Sequence, residues 1–287
     1  MNKKIICLAL GTFLGIAHAE NVFITLEKDN ALAIVNPVDG TLTKTVPIGK
    51  RPRGIAFSPD YKQLYVATSD DNTIKVFDAH DSLVTVIDLA KKKVIKQIKV
   101  GVEPEGITVS PDNKWLISAS ETTNMVHWID VKTQEIVDNT LVDPRPRFVT
   151  FTPDSQQLWV TSEMAGNLMV LDANTKQAIK TINFSIQGVT NEKIQPVGIV
   201  IDKNRTRAYV ALGPANRVAV VNAQTLEVEK YLLVGSRVWN LAFSPDQKRL
   251  YTTNGVSNDM SMIDLESQTV TKSVGVGTYP WGVAVKP

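Results

Sequence analysis

The residues best suited to bind a ligand are arginines and aromatic residues that stand at similar places in short repeated segments. They lie just before or within segments of the type P-x-G, or in loops that follow a strand pattern. The set comprises Arg51, Arg53, Glu105, Arg145, Arg147, Arg217, Arg237, Trp239, Tyr279 and Trp281. Guanidinium groups bind carboxylates through two parallel hydrogen bonds and stack on aromatic planes. The set therefore predicts a site for an anionic small molecule or a partner protein.

Two structural interpretations of the same residues stay open at this point. The arginines could form a solvated ring of salt bridges with nearby glutamates, which are Glu103, Glu105, Glu121 and Glu163. Trp239 and Trp281 could instead pack between neighbouring repeats at the rim of the fold.

Signatures of catalysis are sparse, and we expect no catalytic residues and no metal ligands. Only His80 and His127 follow residue 19, and no H-x-x-x-H, C-x-x-C-H, G-x-S-x-G or phosphate-binding loop is present. One alternative is a metal-dependent lactonase-like hydrolase that would use Glu105, Glu121 and Asn124 in a channel. Another is a protein-interaction scaffold that binds no small ligand.

A repeat of about 42 residues organises the chain. When the units are aligned, recurring residues fall into columns. The first column is P-x-G-[IV]-x-[VF]-[ST]-P-D, as in PRGIAFSPD (52–60), PEGITVSPD (104–112) and PRFVTFTPD (146–154). The second column is an apolar run that ends in Asp or Asn, at positions 36, 88, 130, 172, 222 and 264. Each unit reads as four short alternating strands, with Ser-Pro-Asp as a tight turn. Four-stranded units of this length predict an all-β β-propeller, built as a single domain over residues 20–287.

The two ends of the repeat region are complementary. The chain enters the repeat at Asn21 without a P-x-G strand and finishes at Pro287 directly after one. We therefore expect the C-terminal strand to join the N-terminal blade and remove an exposed sheet edge.

The period is broken in two places. Eight extra residues lie within Ser185–Gln195. Between Asn36 and Asp88 there are ten, because both TIKVFD (73–78) and LVTVID (83–88) resemble the third strand of a unit. The pattern predicts six complete blades plus one surplus strand, as if 32 residues of a further unit had been lost.

Residues 1–19 have the three parts of a secretory signal peptide. Lys3 and Lys4 are basic, an apolar run of twelve residues follows, and Ala17-His18-Ala19 is a cleavage site. Cleavage would leave 29 basic against 29 acidic residues and no cysteine. We expect a periplasmic monomer without membrane insertion, and with no net charge to draw it to nucleic acid.

Several segments resemble a known family: ETTNMVHWID (121–130), DPRPRFVTFTPD (143–154), ALGPANRVAVVNA (211–223), TTNGVSND (252–259) and YPWGVAVKP (279–287). They are similar to the YVTN-type β-propellers associated with catabolism that depends on pyrroloquinoline quinone (PQQ). The resemblance implies a seven-bladed periplasmic protein, whereas this sequence has six full repeats. It also implies PQQ as the candidate cofactor and a periplasmic quinoprotein dehydrogenase or cytochrome as partner. It supplies no catalytic residue.

Overall fold

A computed structural model describes residues 21–48, 52–57, 64–68, 83–88 and 93–286, with side chains described for 21–48, 52, 55 and 98–286. The regular elements in these ranges are β-strands and one short 3-10 helix, Asn191–Lys193. Within the same ranges, no helix has the length and apolar character needed to cross a membrane.

The described fold comprises five four-stranded antiparallel sheets, which we number as blades 1 to 5, and two two-stranded sheets. Blade 1 comprises β24 (Pro280–Lys286), β1 (Asn21–Leu26), β2 (Ala31–Asn36) and β3 (Thr41–Pro47). Blade 2 comprises β8 (Pro104–Val109), β9 (Trp115–Ser120), β10 (Met125–Asp130) and β11 (Glu135–Leu141). Blade 3 comprises β12 (Pro146–Phe151), β13 (Gln157–Ser162), β14 (Asn167–Asp172) and β15 (Ala178–Asn183).

The remaining blades repeat the same order along the chain. Blade 4 comprises β16 (Ile199–Ile201), β17 (Arg207–Ala211), β18 (Arg217–Asn222) and β19 (Glu227–Leu233). Blade 5 comprises β20 (Val238–Phe243), β21 (Arg249–Asn254), β22 (Asp259–Asp264) and β23 (Thr269–Gly275). The predicted all-β architecture of propeller blades is confirmed.

The irregular part of the repeat forms two separate strand pairs. β4 (Pro52–Phe57) pairs with β5 (Leu64–Thr68), and β6 (Leu83–Asp88) pairs with β7 (Lys93–Lys99). The predicted surplus strand at 73–78 lies outside the described residues. LVTVID (83–88) does form a strand, and it pairs with the following strand as the third strand of a blade would.

The C-terminal strand completes the N-terminal blade. β24 pairs antiparallel with β1, with Val285 opposite Val22 and Ala284 opposite Phe23. β24 also packs against β20 of blade 5 and against β4. The first and last strands of the described chain therefore share one sheet, as the ends of the repeat predicted.

The core lies between blades rather than within one. Trp128 is fully buried, and its ring meets Trp115 of its own blade and Phe151 of the next in edge-to-face contacts. The P-x-G glycines allow the first strands of neighbouring blades to approach. A Cβ on Gly198 would lie 2.7 Å from the carbonyl oxygen of Trp239, and one on Gly106 would lie 2.9 Å from that of Arg147.

In the five described blades, the Asp/Asn column that ends each third strand forms turns. The side-chain oxygen of Asp130 accepts the Thr133 N–H at 2.7 Å, and that of Asp264 accepts the Ser267 N–H at 2.8 Å. These backbone hydrogen bonds hold the pKa of both carboxyl groups below its ordinary value. Both side chains are used in local structure, as Asx turns require.

The eight-residue insertion packs back onto the propeller. It contains the 3-10 helix Asn191–Lys193, and Ile194 directly after the helix is buried with Leu168 and Leu212 of blades 3 and 4. Ile194 thus anchors the insertion in the interface between these blades.

Candidate ligand-binding face

One end of the blades, which we call the loop face, carries the loops that lead into each first strand and the turns between strands two and three. The leading loops are 101–103, 143–145, 235–237 and 277–279, and the turns are 27–30, 121–124, 163–166, 213–216 and 255–258. Backbone bonds join the two sets: the Arg145 carbonyl accepts the Glu163 N–H, and the Arg237 carbonyl accepts the Gly255 N–H, both at 2.9 Å.

Asparagines fasten three of these leading loops to the preceding blade. The side-chain oxygens of Asn124, Asn216 and Asn258 accept the backbone N–H groups of Arg145, Arg237 and Tyr279, at 3.0, 2.8 and 3.0 Å. All six residues have φ between 54° and 62°, a left-handed conformation that asparagine tolerates better than most residues. Sequence reasoning missed this role, although Asn recurs just before the third strand at 30, 124, 216 and 258.

Arg145 and Arg147 of blade 3 are engaged by glutamates. Arg147 lies 2.7 Å from Glu105, 2.6 Å from Glu121 and 3.4 Å from Glu163, measured from guanidinium nitrogen to carboxylate oxygen. Arg145 Nε lies 2.8 Å from Glu121 and 3.2 Å from Glu163. For these two arginines the structure has the salt-bridge arrangement, which was one of the open interpretations.

This cluster leaves little positive charge for a ligand. Three carboxylates face two guanidinium groups, so its formal charge is −1. The side chain of Arg147 is 11% exposed, while that of Arg145 is 45% exposed. Burial opposes the charge on Arg145, but the attraction of Glu163 and Glu121 outweighs it and raises the arginine's pKa.

Arg237 and Trp239 of blade 5 form a different arrangement. The Arg237 guanidinium carbon lies 4.5 Å from the centre of the Trp239 ring, within the range of a cation–π contact. Gly255 supports the ring, because a Cβ there would lie 2.4 Å from Trp239 Nε1. Within the described ranges Arg237 makes no ion pair with a carboxylate. Its charge is therefore available on a half-buried aromatic surface.

The next two predicted residues belong to blade 1. Tyr279 lies in its leading loop, and Trp281 lies on its first strand, β24. Tyr279 is exposed, and Lys28 Nζ lies 5.6 Å from the centre of its ring. The Trp281 carbonyl accepts hydrogen bonds from Thr253 Oγ1 at 2.6 Å and Asn240 Nδ2 at 3.1 Å, both from blade 5. We use the name aromatic arc for these two residues together with Arg237 and Trp239, which stand at the same places in the neighbouring blade.

The other predicted site residues contribute less to the face. The Arg217 guanidinium donates to the carbonyls of Ala215 and Asn216 in its own blade, at 3.4 and 3.2 Å. Arg51 and the side chain of Arg53 lie outside the described residues. The ten predicted residues thus divide into the glutamate-bound cluster, the aromatic arc, Arg217 and these two.

The side chains considered for a metal have other partners. Glu105 and Glu121 converge on the guanidinium of Arg147, which takes the place of a cation between them. The Asn124 side-chain oxygen is used by the Arg145 N–H. In the part of the chain whose side chains are described, no group of three His, Cys, Asp or Glu residues could hold a metal ion.

His127 is buried in blade 2, below the loop face. Its Nε2 accepts the Gly101 N–H at 2.8 Å and lies 3.1 Å from Ser120 Oγ. Its Nδ1 lies 2.6 Å from the side-chain oxygen of Asn139. Burial lowers the pKa of this imidazole, and the bond to Asn139 only partly offsets the effect.

Comparison with known proteins agrees with the repeat architecture. The model of the choice-of-anchor I domain family matches residues 70–246, which is more than half of the chain. The chain belongs to the choice-of-anchor I domain family. A second model, the WD domain or G-beta repeat, matches residues 44–78 of this family member.

Individual proteins similar to this choice-of-anchor I chain are distant or matched only in part. Antigen Lp49 of Leptospira interrogans is 36% identical over 78 residues, which cover 26% of this chain and 17% of the antigen. A chain of Kuenenia stuttgartiensis hydrazine synthase superposes with a TM-score of 0.60 at 19% identity, covering 85% of this chain and 92% of its own. A Bacteroides uniformis protein provisionally named a 6-phosphogluconolactonase superposes with a TM-score of 0.68 at 12% identity, covering 93% and 100%. At these identities the structural matches show the fold alone.

Proposed function

We propose that the protein is a periplasmic β-propeller that binds rather than catalyses, and that the aromatic arc is its binding site. The observation that carries the proposal is Arg237, which lies over Trp239 and has no carboxylate partner within the described ranges. A cation on an aromatic surface suits a planar anion, which would pair with the guanidinium and stack beside the indole.

The resemblance to the YVTN-type propellers supplies the finer part of the proposal. PQQ is a planar aromatic molecule with three carboxylates, so its chemistry is complementary to the arc. We infer an accessory role in PQQ-dependent alcohol catabolism, with the quinone or a periplasmic quinoprotein dehydrogenase or cytochrome presented to this face. Arg145 and Arg147 stay with their glutamates in this proposal and serve to hold the loop face in shape.

Calorimetric titration of the purified protein with PQQ tests the site. Arg237→Gln should weaken binding at least tenfold, about 1.4 kcal/mol, because it removes the unpaired cation while keeping a polar side chain. Arg145→Gln is the matched control, since that exposed arginine is already engaged by Glu121 and Glu163. Its affinity should stay within about twofold of the unmodified protein.

Two results would contradict the proposal in different ways. An absence of heat and of absorbance change at high micromolar PQQ would exclude the quinone as ligand. Equal losses from both substitutions would place binding outside the aromatic arc.

Co-purification of a dehydrogenase without a bound chromophore would favour the interaction scaffold. Turnover of a lactone together with a calcium-dependent rise in melting temperature would favour the hydrolase.

A further inference from the structure

A single titratable side chain holds the base of the leading loop of blade 2. His127 is 4% exposed, and its Nε2 accepts the backbone N–H of Gly101, the first residue of the loop 101–103. A backbone N–H can only donate, so Nε2 carries no proton. The proton is therefore on Nδ1, which donates to the Asn139 side-chain oxygen. This arrangement requires a neutral imidazole.

In blade 5, the equivalent backbone N–H is bound by a side chain that does not titrate. There the equivalent glycine, Gly235, directs its N–H to the hydroxyl of Ser261 at 3.4 Å, and Ser261 also accepts a bond from Asn254 at 2.9 Å. The Gly235 amide thus has an acceptor whose charge does not change with pH. The histidine is an addition to the repeat rather than a requirement of it.

We propose that His127 is a pH-sensitive latch, which holds the leading loop of blade 2 when neutral and releases it when protonated. Protonation places a hydrogen on Nε2, so that two donors, Nε2–H and the Gly101 N–H, face each other. Ser120 Oγ can accept the new imidazole proton, at 3.1 Å in the neutral form. Protonation of Nε2 therefore breaks the hydrogen bond that the Gly101 amide makes in the neutral form.

Release of this loop would affect the arginine cluster, because backbone hydrogen bonds connect the loop to the turn that carries Glu121. The Glu103 carbonyl accepts the Glu121 N–H at 2.9 Å, and the Val102 carbonyl accepts the Thr122 N–H at 3.3 Å. Glu121 in turn binds both Arg145 and Arg147. Acidification would therefore loosen the contacts that keep these arginines engaged, and would change the charge that the loop face presents.

The surroundings of His127 set the pH window. Among the residues whose side chains are described, the charged ones on the elements around it are Lys99 of β7, Glu103 of the loop, Asp130 of β10, and Glu135 and Asp138 of β11. β9 contributes no charged residue. Burial is the largest influence on the imidazole and lowers its pKa from 6.5. Because the neutral form is favoured in the folded state, the latch is fully closed above about pH 6.5 and weakens as the pH falls towards the lowered value.

Hydrogen exchange of the Gly101 amide tests the latch independently of any ligand. Its protection, normalised to that of the Gly235 amide in the same sample, should fall between pH 7.5 and 5 by up to about tenfold per pH unit. In His127→Ser, which copies the blade 5 arrangement, the ratio should not change with pH. A constant ratio in the unmodified protein, or the same decline in His127→Ser, would overturn the proposal.

A second measurement needs no variant and applies if His127→Ser fails to fold. Nitrogen NMR of the unmodified protein should show Nε2 unprotonated at pH 7.5, with a His127 pKa below 6.5. A protonated Nε2 at that pH, or a pKa at or above 6.5, would exclude the latch even if the loop exchanged as expected.

Discussion

Removal of Arg147 should destabilise the propeller far more than removal of its neighbour Arg145. Arg147 contacts three carboxylates, and two of them, on Glu121 and Glu163, belong to side chains that are only 8% exposed. Arg147→Met would leave these buried charges with only one shared partner. Breaking a buried ion pair by removing one member costs several kcal/mol, because the remaining charge is not compensated.

The magnitude follows from the burial of the two arginines. For Arg147→Met we expect a loss of about 3 kcal/mol in the free energy of unfolding, at the lower end of the buried-pair range because Arg145 still contacts both glutamates. For Arg145→Met, whose side chain is 45% exposed and therefore screened by water, we expect about 1 kcal/mol or less. The two substitutions remove the same chemical group two residues apart, which makes them a matched pair.

Equilibrium unfolding in urea at pH 7.5 measures the difference. With a slope of roughly 3 kcal/mol per molar urea, Arg147→Met should lower the midpoint by about 1 M, without a change in the slope. The double variant Arg147→Met/Glu121→Gln should recover part of the loss, since one unpaired carboxylate is then gone. Equal losses for the two arginine substitutions, or no recovery in the double variant, would refute the account of the cluster as a buried charge network.

Three further predictions concern packing, the C-terminal strand and pH. Gly198→Ala should cost about 1–3 kcal/mol, because its Cβ would meet backbone atoms of Trp239 and Asn240, whereas Gly275→Ala has open space and should change the urea midpoint little. Deletion of residues 280–287 should lower the melting temperature of the whole protein, since it removes the strand that pairs with β1; a wild-type melting curve would contradict this. Between pH 6.5 and 5 the unmodified protein should lose up to about 1.4 kcal/mol of unfolding free energy per pH unit through His127, and urea unfolding of His127→Ser should lack this part of the decline.

The repeat could be predicted from the sequence because the residues within each unit determine its strands and turns. The P-x-G segments, the Ser-Pro-Asp turns and the Asp/Asn column specify strands and turns through residues close in the chain. The complementary ends were also visible, because the chain starts without the strand type with which it ends. The described strands agree with these expectations in five blades, and β6 (83–88) takes the third-strand role that its sequence predicts.

The state of each arginine was decided only by the tertiary structure. Arg145 and Arg237 stand at equivalent places in the repeat, yet Arg145 is held by glutamates from two blades and Arg237 lies over a tryptophan ring. Likewise, nothing near His127 in the chain indicates that its acceptor nitrogen meets the amide of Gly101, 26 residues away. Local pattern determines strands and turns, whereas pairing of charges depends on which side chains two adjacent blades bring within a few ångströms, and that is a property of the assembled fold.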